Sequence, residues 1–299
     1  MSMLKNVNKG VLVKPDLILL YGPDGVGKTT FAAQAPNPIF LGAEGGSDAL
    51  DVARFPKIVT TAQAVQAVHE LTAESHDYKT LVIDSVDWME HLLHRDICKK
   101  HNVASIELAS GGYGKGYIEG FNWWNEFKDH LDDLREKRKM NVILIGHADI
   151  STFNDPNTQS TYERYQLKLH KKSSALLREW VDCVFFANFE IFTKKEDRTT
   201  RAFGDGGRVM YTERRPGFDA KNRKSLPFSL PLGWDDYCNA ARSSVPTCEN
   251  IVNQIMEIIK EVEDPELSKA IIETTNKSAN NLTKLEAILN RVRIRLENV

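Results

Sequence analysis

One segment near the start of the chain places glycines, a lysine and a threonine at fixed spacings. It reads Gly22-Pro23-Asp24-Gly25-Val26-Gly27-Lys28-Thr29 and fits the pattern G-x-x-x-x-G-K-[ST] at every fixed position. The apolar run 17–21 precedes it and the helix-forming run 30–35 follows it, which predicts a loop between a strand and a helix. Glycines allow such a loop to turn several N–H groups toward an anion. The segment therefore predicts a site for the phosphates of ATP or GTP.

The side chains of this segment have separate predicted roles. We expect Lys28 to reach the β and γ phosphates and the Thr29 hydroxyl to bind Mg²⁺. The rest of Gly22–Thr29, together with Thr30, is expected to surround the nucleotide, since the helix that begins at Lys28 directs its positive end there. The alternative is a chance glycine-rich turn, which the flanking strand and helix patterns disfavour.

The length and charge of the chain limit what else it can be. The 299 residues suggest one large domain, or one domain with a small appendage. A net charge of −2 excludes a protein that is basic throughout, but it leaves room for a local basic patch. The four cysteines form no C-x-x-C pair, which favours reduced thiols. No apolar segment has the length of a signal peptide or a membrane span, so we expect a soluble, cytoplasmic protein with no membrane partner.

Apolar strand patterns alternate with helix patterns through the first half of the chain. The apolar runs are 17–21, 39–42, 80–84 and 141–147, with helical patterns between them. This order predicts an α/β fold with a mostly parallel central sheet flanked by helices. We expect residues 1–240 to form this core. Residues 241–299 are predicted to be a small helical appendage, in which Asp264-Pro265 marks the start of a helix.

Three polar residues stand where predicted strands end, and parallel strands bind ligands at that edge. Asp84 closes an apolar strand and is expected to orient Mg²⁺ through water, or else to cap the next helix. Glu44 is expected to orient the attacking water, with Asp48 and Asp51 as weaker candidates and a solvated loop acid as the alternative. His147 is placed to sense the γ-phosphate, unless it is only structural.

Two later regions carry cations in patterns that suggest phosphate binding. Residues 149–172 form a long polar stretch that interleaves aromatic and cationic residues, namely Tyr162, Arg164, Tyr165, Lys168, Lys171 and Lys172. This predicts contact with single-stranded nucleic acid; the alternative is a strand with a solvated polar face. Lys221 and Arg223 lie two residues apart, so their side chains point the same way in an extended chain. Such a pair could reach the γ-phosphate bound on a neighbouring subunit. The alternative is that the two residues belong to a solvated face.

Taken in order, these features resemble the RecA-like P-loop ATPases. The matching stretches are Gly22–Thr29, Ala43-Glu44, Leu81-Val82-Ile83-Asp84-Ser85 and the strand that ends in Ile145-Gly146-His147. With Asp219-Ala220-Lys221-Asn222-Arg223 and Leu226-Pro227, the chain over about residues 15–235 is similar to phage-encoded, core-only RecA-like proteins implicated in single-strand annealing recombination.

The resemblance implies further expectations. Glu44 matches the water-activating carboxylate, residues 106–118 with Lys115 match a first DNA-binding loop, and residues 149–172 match a second. Lys221 and Arg223 resemble lysine and arginine residues that act across a subunit interface. Expected partners are single-stranded DNA, further copies of the chain in a ring or filament, and a single-strand-binding protein, in the cytoplasm of a bacterial host. RecA itself has a glutamine where His147 stands. From the resemblance we also expect the N-terminal oligomerisation segment of RecA to be largely missing from this chain.

Two other functions fit the same phosphate loop. A small-molecule kinase would need a lid of arginines, for which the candidates are Arg198, Arg201, Arg208, Arg214 and Arg215. A replication helicase or its loader would share the same core. Glu44 and the long region of Tyr and Lys residues favour the DNA-dependent ATPase over the kinase.

Overall fold

The structure is a computed structural model, and it describes residues 7, 12, 14–156, 160–190, 192–196, 199–203, 206–244, 248–260, 262 and 264–297. The strands are β1 (Leu17–Gly22), β2 (Pro38–Gly42), β3 (Ala53–Arg54), β4 (Thr80–Asp84), β5 (Asn141–Phe153), β6 (Tyr162–Leu167), β7 (Cys183–Phe189), β8 (Phe192–Glu196), β9 (Thr199–Phe203), β10 (Arg208–Tyr211), β11 (Lys221–Asn222) and β12 (Ser229–Pro231). The helices are α1 (Lys28–Ala33), α2 (Thr61–Ala73), α3 (Val86–His101), α4 (Lys115–Arg138), α5 (Lys171–Trp180), α6 (Trp234–Ser244), α7 (Cys248–Ile259), α8 (Pro265–Lys277) and α9 (Leu282–Glu297), with a 3₁₀ helix at Ile106–Gly111.

The central sheet has the strand order β12-β10-β7-β1-β5-β4-β2-β3. The pairs from β7 to β3 are parallel, whereas β10 and β12 join the β7 side as antiparallel strands. β1 lies between β7 and β5, so the phosphate loop that follows it opens near the middle of the sheet edge. The predicted α/β fold, with a mostly parallel sheet, flanking helices and a helical C-terminal region, is confirmed.

The central strands are apolar except toward their ends, because helices cover both faces of the sheet. All six residues of β1 and all five of β4 are buried. α4 contributes large side chains to the core that α2 and α3 also line, including Trp124, Phe127 and Leu131. The buried sheet is a rigid base that holds the loops at the carboxyl ends of its strands.

The predicted first DNA-binding loop, residues 106–118, is mostly helical. It contains the 3₁₀ helix Ile106–Gly111 and the first turn of α4, which begins at Lys115. Gly112 and Gly114 have positive φ and form the turn between the two helices. Gly116 packs so closely that a Cβ there would lie 2.2 Å from the carbonyl oxygen of Ile106. The glycines therefore permit close packing here rather than an open loop.

The predicted long loop at 149–172 is largely a two-stranded antiparallel ribbon. β5 continues six residues beyond His147, and its outer part pairs with β6 from Ala148↔Leu167 to Phe153↔Tyr162. Residues 157–159 of the predicted loop lie outside the described residues. The region is therefore mainly strand and not an open loop, while its contact with nucleic acid stays a prediction. We name the paired segment 148–153 with 162–167 the β5–β6 ribbon.

Contacts within the chain divide the protein into two compact units. One comprises Met1–Arg223 and Pro227–Asp236, and the other comprises Lys224–Leu226 and Tyr237–Val299. In the second unit, α7 and α9 pack through Ile251, Ile255 and Leu285. Asp264 accepts hydrogen bonds from the N–H groups of Glu266 and Leu267, which confirms the predicted start of α8. In the described part of the chain, no helix combines the length and apolar character needed to cross a bilayer.

Candidate nucleotide-binding site

The register of the sheet brings the predicted site residues to one edge. Gly22 at the end of β1 is level with His147 on β5, while Gly42 on β2 is level with Asp84 on β4. Glu44 follows β2 by two residues and so lies at the same edge. The structure therefore places the phosphate loop and the three polar strand-end residues together.

The phosphate loop has the backbone that its glycines predict. Gly25 has a φ of 71° and Gly27 a φ of 106°, and α1 begins at Lys28 directly after Gly27. The Lys28 side chain is only 5% exposed, and its Nζ donates to the carbonyl oxygens of Gly22 and Pro23, each at 2.9 Å. Burial lowers the pKa of Lys28, an effect that four nearby carboxylates, with Asp24 the strongest, partly oppose. The amine is thus held across the mouth of the loop.

Thr29 and Asp84 form a pair of oxygen ligands suited to a hard cation. The Thr29 hydroxyl donates to Asp84 Oδ2 at 2.9 Å, and Asp84 is only 5% exposed. Burial raises the pKa of Asp84, whereas the hydroxyl of Thr29 opposes the rise. Among the described residues, no three His, Cys, Asp or Glu side chains are grouped to hold a metal. The two oxygen ligands of Thr29 and Asp84 fit Mg²⁺, which usually takes one or two protein oxygens together with water and phosphate.

Glu44 is held by Ser85, the residue that directly follows Asp84. Ser85 is the N-terminal cap residue of α3 by position, but its side chain accepts no hydrogen bond from the backbone N–H groups of that helix. Its hydroxyl instead donates to Glu44 Oε1 at 3.1 Å. Burial raises the pKa of Glu44, and the Ser85 hydrogen bond limits that rise. A carboxylate with a raised pKa is a stronger base, which is what activation of a water molecule requires.

His147 is oriented by Asp87, a residue that the sequence reasoning missed. Asp87 lies in the first turn of α3, and its carboxylate accepts from His147 Nδ1 at 2.9 Å and from the His147 backbone N–H at 3.2 Å. His147 Nε2 lies 3.5 Å from Asp24 Oδ1 in the phosphate loop. An acid in the first turn is ordinary for a helix, so only the position of β5 against α3 reveals this role.

The His147–Asp87 pair predicts how stability depends on pH. The hydrogen bond to Asp87 raises the pKa of His147 above 6.5, although burial opposes it. Burial alone would raise the pKa of Asp87, but the hydrogen bonds and charge of His147 outweigh it and hold that pKa below 3.8. The contribution of His147 to the free energy of unfolding is complete below pH 6.5 and is lost as the pH rises through the pKa of His147 in the folded protein. The contribution of Asp87 is complete above pH 3.8 and is lost as the pH falls through the pKa of Asp87 in the folded protein.

We therefore expect the pair to stabilise the fold most between pH 3.8 and 6.5. The free energy of unfolding, measured with urea at several pH values, should be larger for the wild type than for His147→Gln, and the difference should be largest in this window. The difference should decline at higher and at lower pH. His91→Gln, a substitution on the exposed side of α3, is the matched control. A difference that does not vary with pH would contradict the assignment.

Four of the predicted DNA contacts lie on the surface. Lys168 follows β6, Lys171 and Lys172 are in the first turn of α5, Lys115 begins α4, and all four are exposed. Tyr162 is half-buried, and its hydroxyl donates to Asp155 at 3.2 Å. These positions leave the lysines accessible to a charged ligand.

Two of the predicted DNA contacts face inward, which corrects their assignment. Arg164 is 3% exposed and forms an ion pair with Asp219. Tyr165 packs its ring 5.0 Å from that of Phe186 in the core. Arg164 and Tyr165 are consecutive and therefore project from opposite faces of the ribbon, and each face is covered by another part of the chain, with Asp219 beside Arg164 and Phe186 beside Tyr165. As the structure stands, neither Arg164 nor Tyr165 is available to bind DNA.

Lys221 and Arg223 differ in their availability to a second subunit. Lys221 Nζ donates to the carbonyl oxygens of Arg178, Glu179 and Val181 at 2.6–2.9 Å and so caps the end of α5. Arg223 is exposed, with its Nη1 3.8 Å from Asp182. The prediction of a trans-acting role is not supported for Lys221, since it would have to break three hydrogen bonds. For Arg223 it stays a prediction.

The three described arginines of the suggested kinase lid make different contacts. Arg214 lies 3.6 Å from Asp219, and Arg215 stacks over the ring of Phe228 at 4.1 Å. Arg208 instead approaches the phosphate loop: its Nη1 is 2.8 Å from the place that a Cβ on Gly27 would occupy. Arg198 and the side chain of Arg201 lie outside the described residues.

Comparison with known proteins gives one family match and two similar chains. One curated relative is the SPbeta prophage-derived uncharacterized protein YorG of Bacillus subtilis (strain 168), 25% identical over 139 residues. That alignment covers 44% of this chain and 41% of the relative, so the match spans less than half of each. A solved structure, that of the RadB recombinase, covers 68% of this chain and 84% of its own, with 17% identity and a TM-score of 0.37.

The family match covers most of the chain. The model of an AAA domain family, AAA_24, matches residues 14–224. This range contains the phosphate loop, Glu44, the Thr29–Asp84 pair and the His147–Asp87 pair. The chain therefore belongs to this AAA domain family, and its core is a P-loop ATPase domain.

Proposed function

We propose that the protein is a RecA-like ATPase that binds single-stranded DNA in an ATP-dependent manner and promotes annealing or homologous recombination. One observation carries the link between nucleotide and DNA. β5 holds His147 at the nucleotide site and continues without a break into the β5–β6 ribbon. The backbone N–H of Lys168 also donates to the carbonyl oxygen of His147 at 2.9 Å. A backbone hydrogen bond therefore joins the exposed Lys168 directly to His147 at the nucleotide site.

In the proposed hydrolysis reaction, each residue at the edge of the sheet has its own role. Glu44 takes a proton from the attacking water, and Ser85 keeps the carboxylate in place. Lys28 offsets negative charge on the phosphates, and His147, oriented by Asp87, distinguishes the nucleotide state. Mg²⁺, held through Thr29 and Asp84, would supply further charge neutralisation when bound with the nucleotide.

The proposed DNA site combines exposed cations with an exposed aromatic ring. The lysines are Lys115, Lys168, Lys171 and Lys172. Tyr113, two residues before Lys115, is 99% exposed, and such a ring can stack on a base. The chain carries a net charge of −2, so these lysines act as a local patch and not as part of a basic surface.

Assembly and biological setting form the remaining part of the proposal. The exposed Arg223 is suited to reach the phosphates of a second copy, which supports a ring or filament of identical subunits. A single-strand-binding protein is a further proposed partner. A curated relative is prophage-derived, which supports a phage origin and action in the host cytoplasm.

The lysines provide the test of this function. For Lys168→Glu combined with Lys171→Glu, we expect the affinity for a labelled single-stranded oligonucleotide to fall about 10- to 100-fold, because two cations that neutralise phosphates become anions. Stimulation of the ATPase rate by that oligonucleotide should fall with it. Fluorescence anisotropy and a phosphate-release assay measure the two effects.

Lys79→Glu makes the same change of charge at an exposed position before β4, at the opposite edge of the sheet. This control should retain nearly all DNA binding. Absence of DNA binding by the wild type would contradict the proposal. Transfer of phosphate from ATP to a small acceptor would support the kinase instead.

A further inference from the structure

We propose that Arg208 is a nucleotide-binding residue, which holds the α- and β-phosphate end of the bound nucleotide from within the same subunit. This inference rests on the proposed binding of ATP by the phosphate loop. It adds a cation that neither the loop pattern nor the predicted trans-acting pair contains.

The sheet topology brings Arg208 to the edge where the phosphate loop lies. β10 runs antiparallel to β7, and Arg208, its first residue, is level with Phe189, the last residue of β7. The start of β10 is therefore at the carboxyl edge of the parallel strands. Since β7 is the direct neighbour of β1, only one strand separates Arg208 from the strand that leads into the loop.

The guanidinium group of Arg208 lies against the backbone of the loop. A Cβ on Gly27 would be 2.8 Å from Arg208 Nη1, 3.7 Å from its Cζ, and 3.7 Å from Leu232 Cδ2. Gly27 is the residue from which α1 begins, with a φ of 106°. Arg208 thus occupies the space that the missing side chain leaves, next to the N–H groups expected to face the phosphates.

Arg208 differs from the neighbouring arginines in its partners. Arg164 and Arg178 are paired with Asp219. The side chain of Arg208 is exposed, and no carboxylate among the described residues pairs with it. A guanidinium group can donate two parallel hydrogen bonds to a phosphate, a geometry that suits a ligand held by the adjacent loop.

The position along the loop determines which phosphates Arg208 would reach. Lys28 Nζ lies at the other end of the loop, on the carbonyl oxygens of Gly22 and Pro23, where the charges of Asp84 and Glu44 also act on it. Arg208 borders Gly27, where the loop passes into α1. Lys28 therefore serves the γ-phosphate end, whereas Arg208 serves the part that ATP and ADP share.

Equilibrium binding of ATP and of ADP to the full chain tests this inference. For Arg208→Ala we expect the dissociation constants of both nucleotides to rise about 10- to 100-fold, since a charge-assisted hydrogen bond is lost. Arg208→Lys should show a smaller rise because it keeps the charge but loses the planar fork. Arg215→Ala, which removes an exposed arginine stacked on Phe228, should bind both nucleotides like the wild type.

Unchanged affinities in Arg208→Ala would overturn the inference and leave ATP binding by the loop intact. Weaker binding of ATP with unchanged binding of ADP would also overturn it, because that result places Arg208 at the γ-phosphate. The Lys variant keeps the test decisive if the Ala variant fails to fold, as judged by circular dichroism. A wild-type chain that binds neither nucleotide would overturn the proposed function together with this inference.

Discussion

Replacement of Glu44 by Gln should reduce the rate of ATP hydrolysis by about 100-fold or more while ATP still binds. The substitution keeps the shape of the side chain and its contact with Ser85, but it removes the base that accepts a proton from water. Because the carboxylate lies at the edge of the site and not in the loop, the dissociation constant of ATP should change little. A phosphate-release assay and a nucleotide-binding titration measure the two quantities.

The raised pKa of Glu44 provides a check on folding. Burial disfavours its charged form, so the charge is unfavourable to the folded state at neutral pH and is absent from the Gln variant. We expect Glu44→Gln to be at least as stable as the wild type, so that loss of the rate cannot come from unfolding. Asp48→Asn, four residues further on, is the matched control and should retain the rate. Full activity of Glu44→Gln would exclude Glu44 as the base.

Replacement of Gly22 by Ala should destabilise the fold by about 3 kcal/mol or more, which corresponds to roughly 10 °C in the melting temperature. A Cβ on Gly22 would lie 2.2 Å from the carbonyl oxygen of Ala187 on the neighbouring strand β7. Two paired backbones face each other here, so no side chain can rotate away, and β1 would have to move from β7. Thermal unfolding followed by circular dichroism tests the prediction.

Gly25→Ala separates this crowding from backbone strain. Gly25 has a φ of 71°, but nothing lies within 4 Å of the place where its Cβ would be. Its replacement should cost only about 1–2 kcal/mol, the penalty for a left-handed residue that carries a side chain. Equal losses for the two variants would contradict the claim that β7 is what requires glycine at position 22.

The phosphate loop and the strand-end acids could be predicted from sequence because their signals are local. The loop pattern fixes residue types at short spacings, and an apolar run that ends in a polar residue marks the end of a buried strand. Parallel strands then bring Glu44 and Asp84 together without further information, since their carboxyl ends share one edge.

The roles of Asp87 and Arg164 depend on contacts between distant parts of the chain. Asp87 lies 60 residues from His147, and neither residue carries a pattern that specifies the other. Arg164 lies between two tyrosines on a polar strand, and only the packing of Asp219 against it shows that this arginine is buried. Asp219 receives Arg164 from the ribbon and Arg178 from α5, a contact that no local spacing indicates.

The uninterrupted course of β5 has a mechanical consequence. Its six residues beyond His147 extend about 20 Å at the usual rise of a strand. The buried half of the strand is fixed in place because it is paired with β1 on one side and β4 on the other. The outer half pairs with β6 in place of β1 and β4, so a tilt of about 5° at His147 would displace its tip by about 2 Å. A small rearrangement around a phosphate group would then become a larger displacement where the ribbon ends.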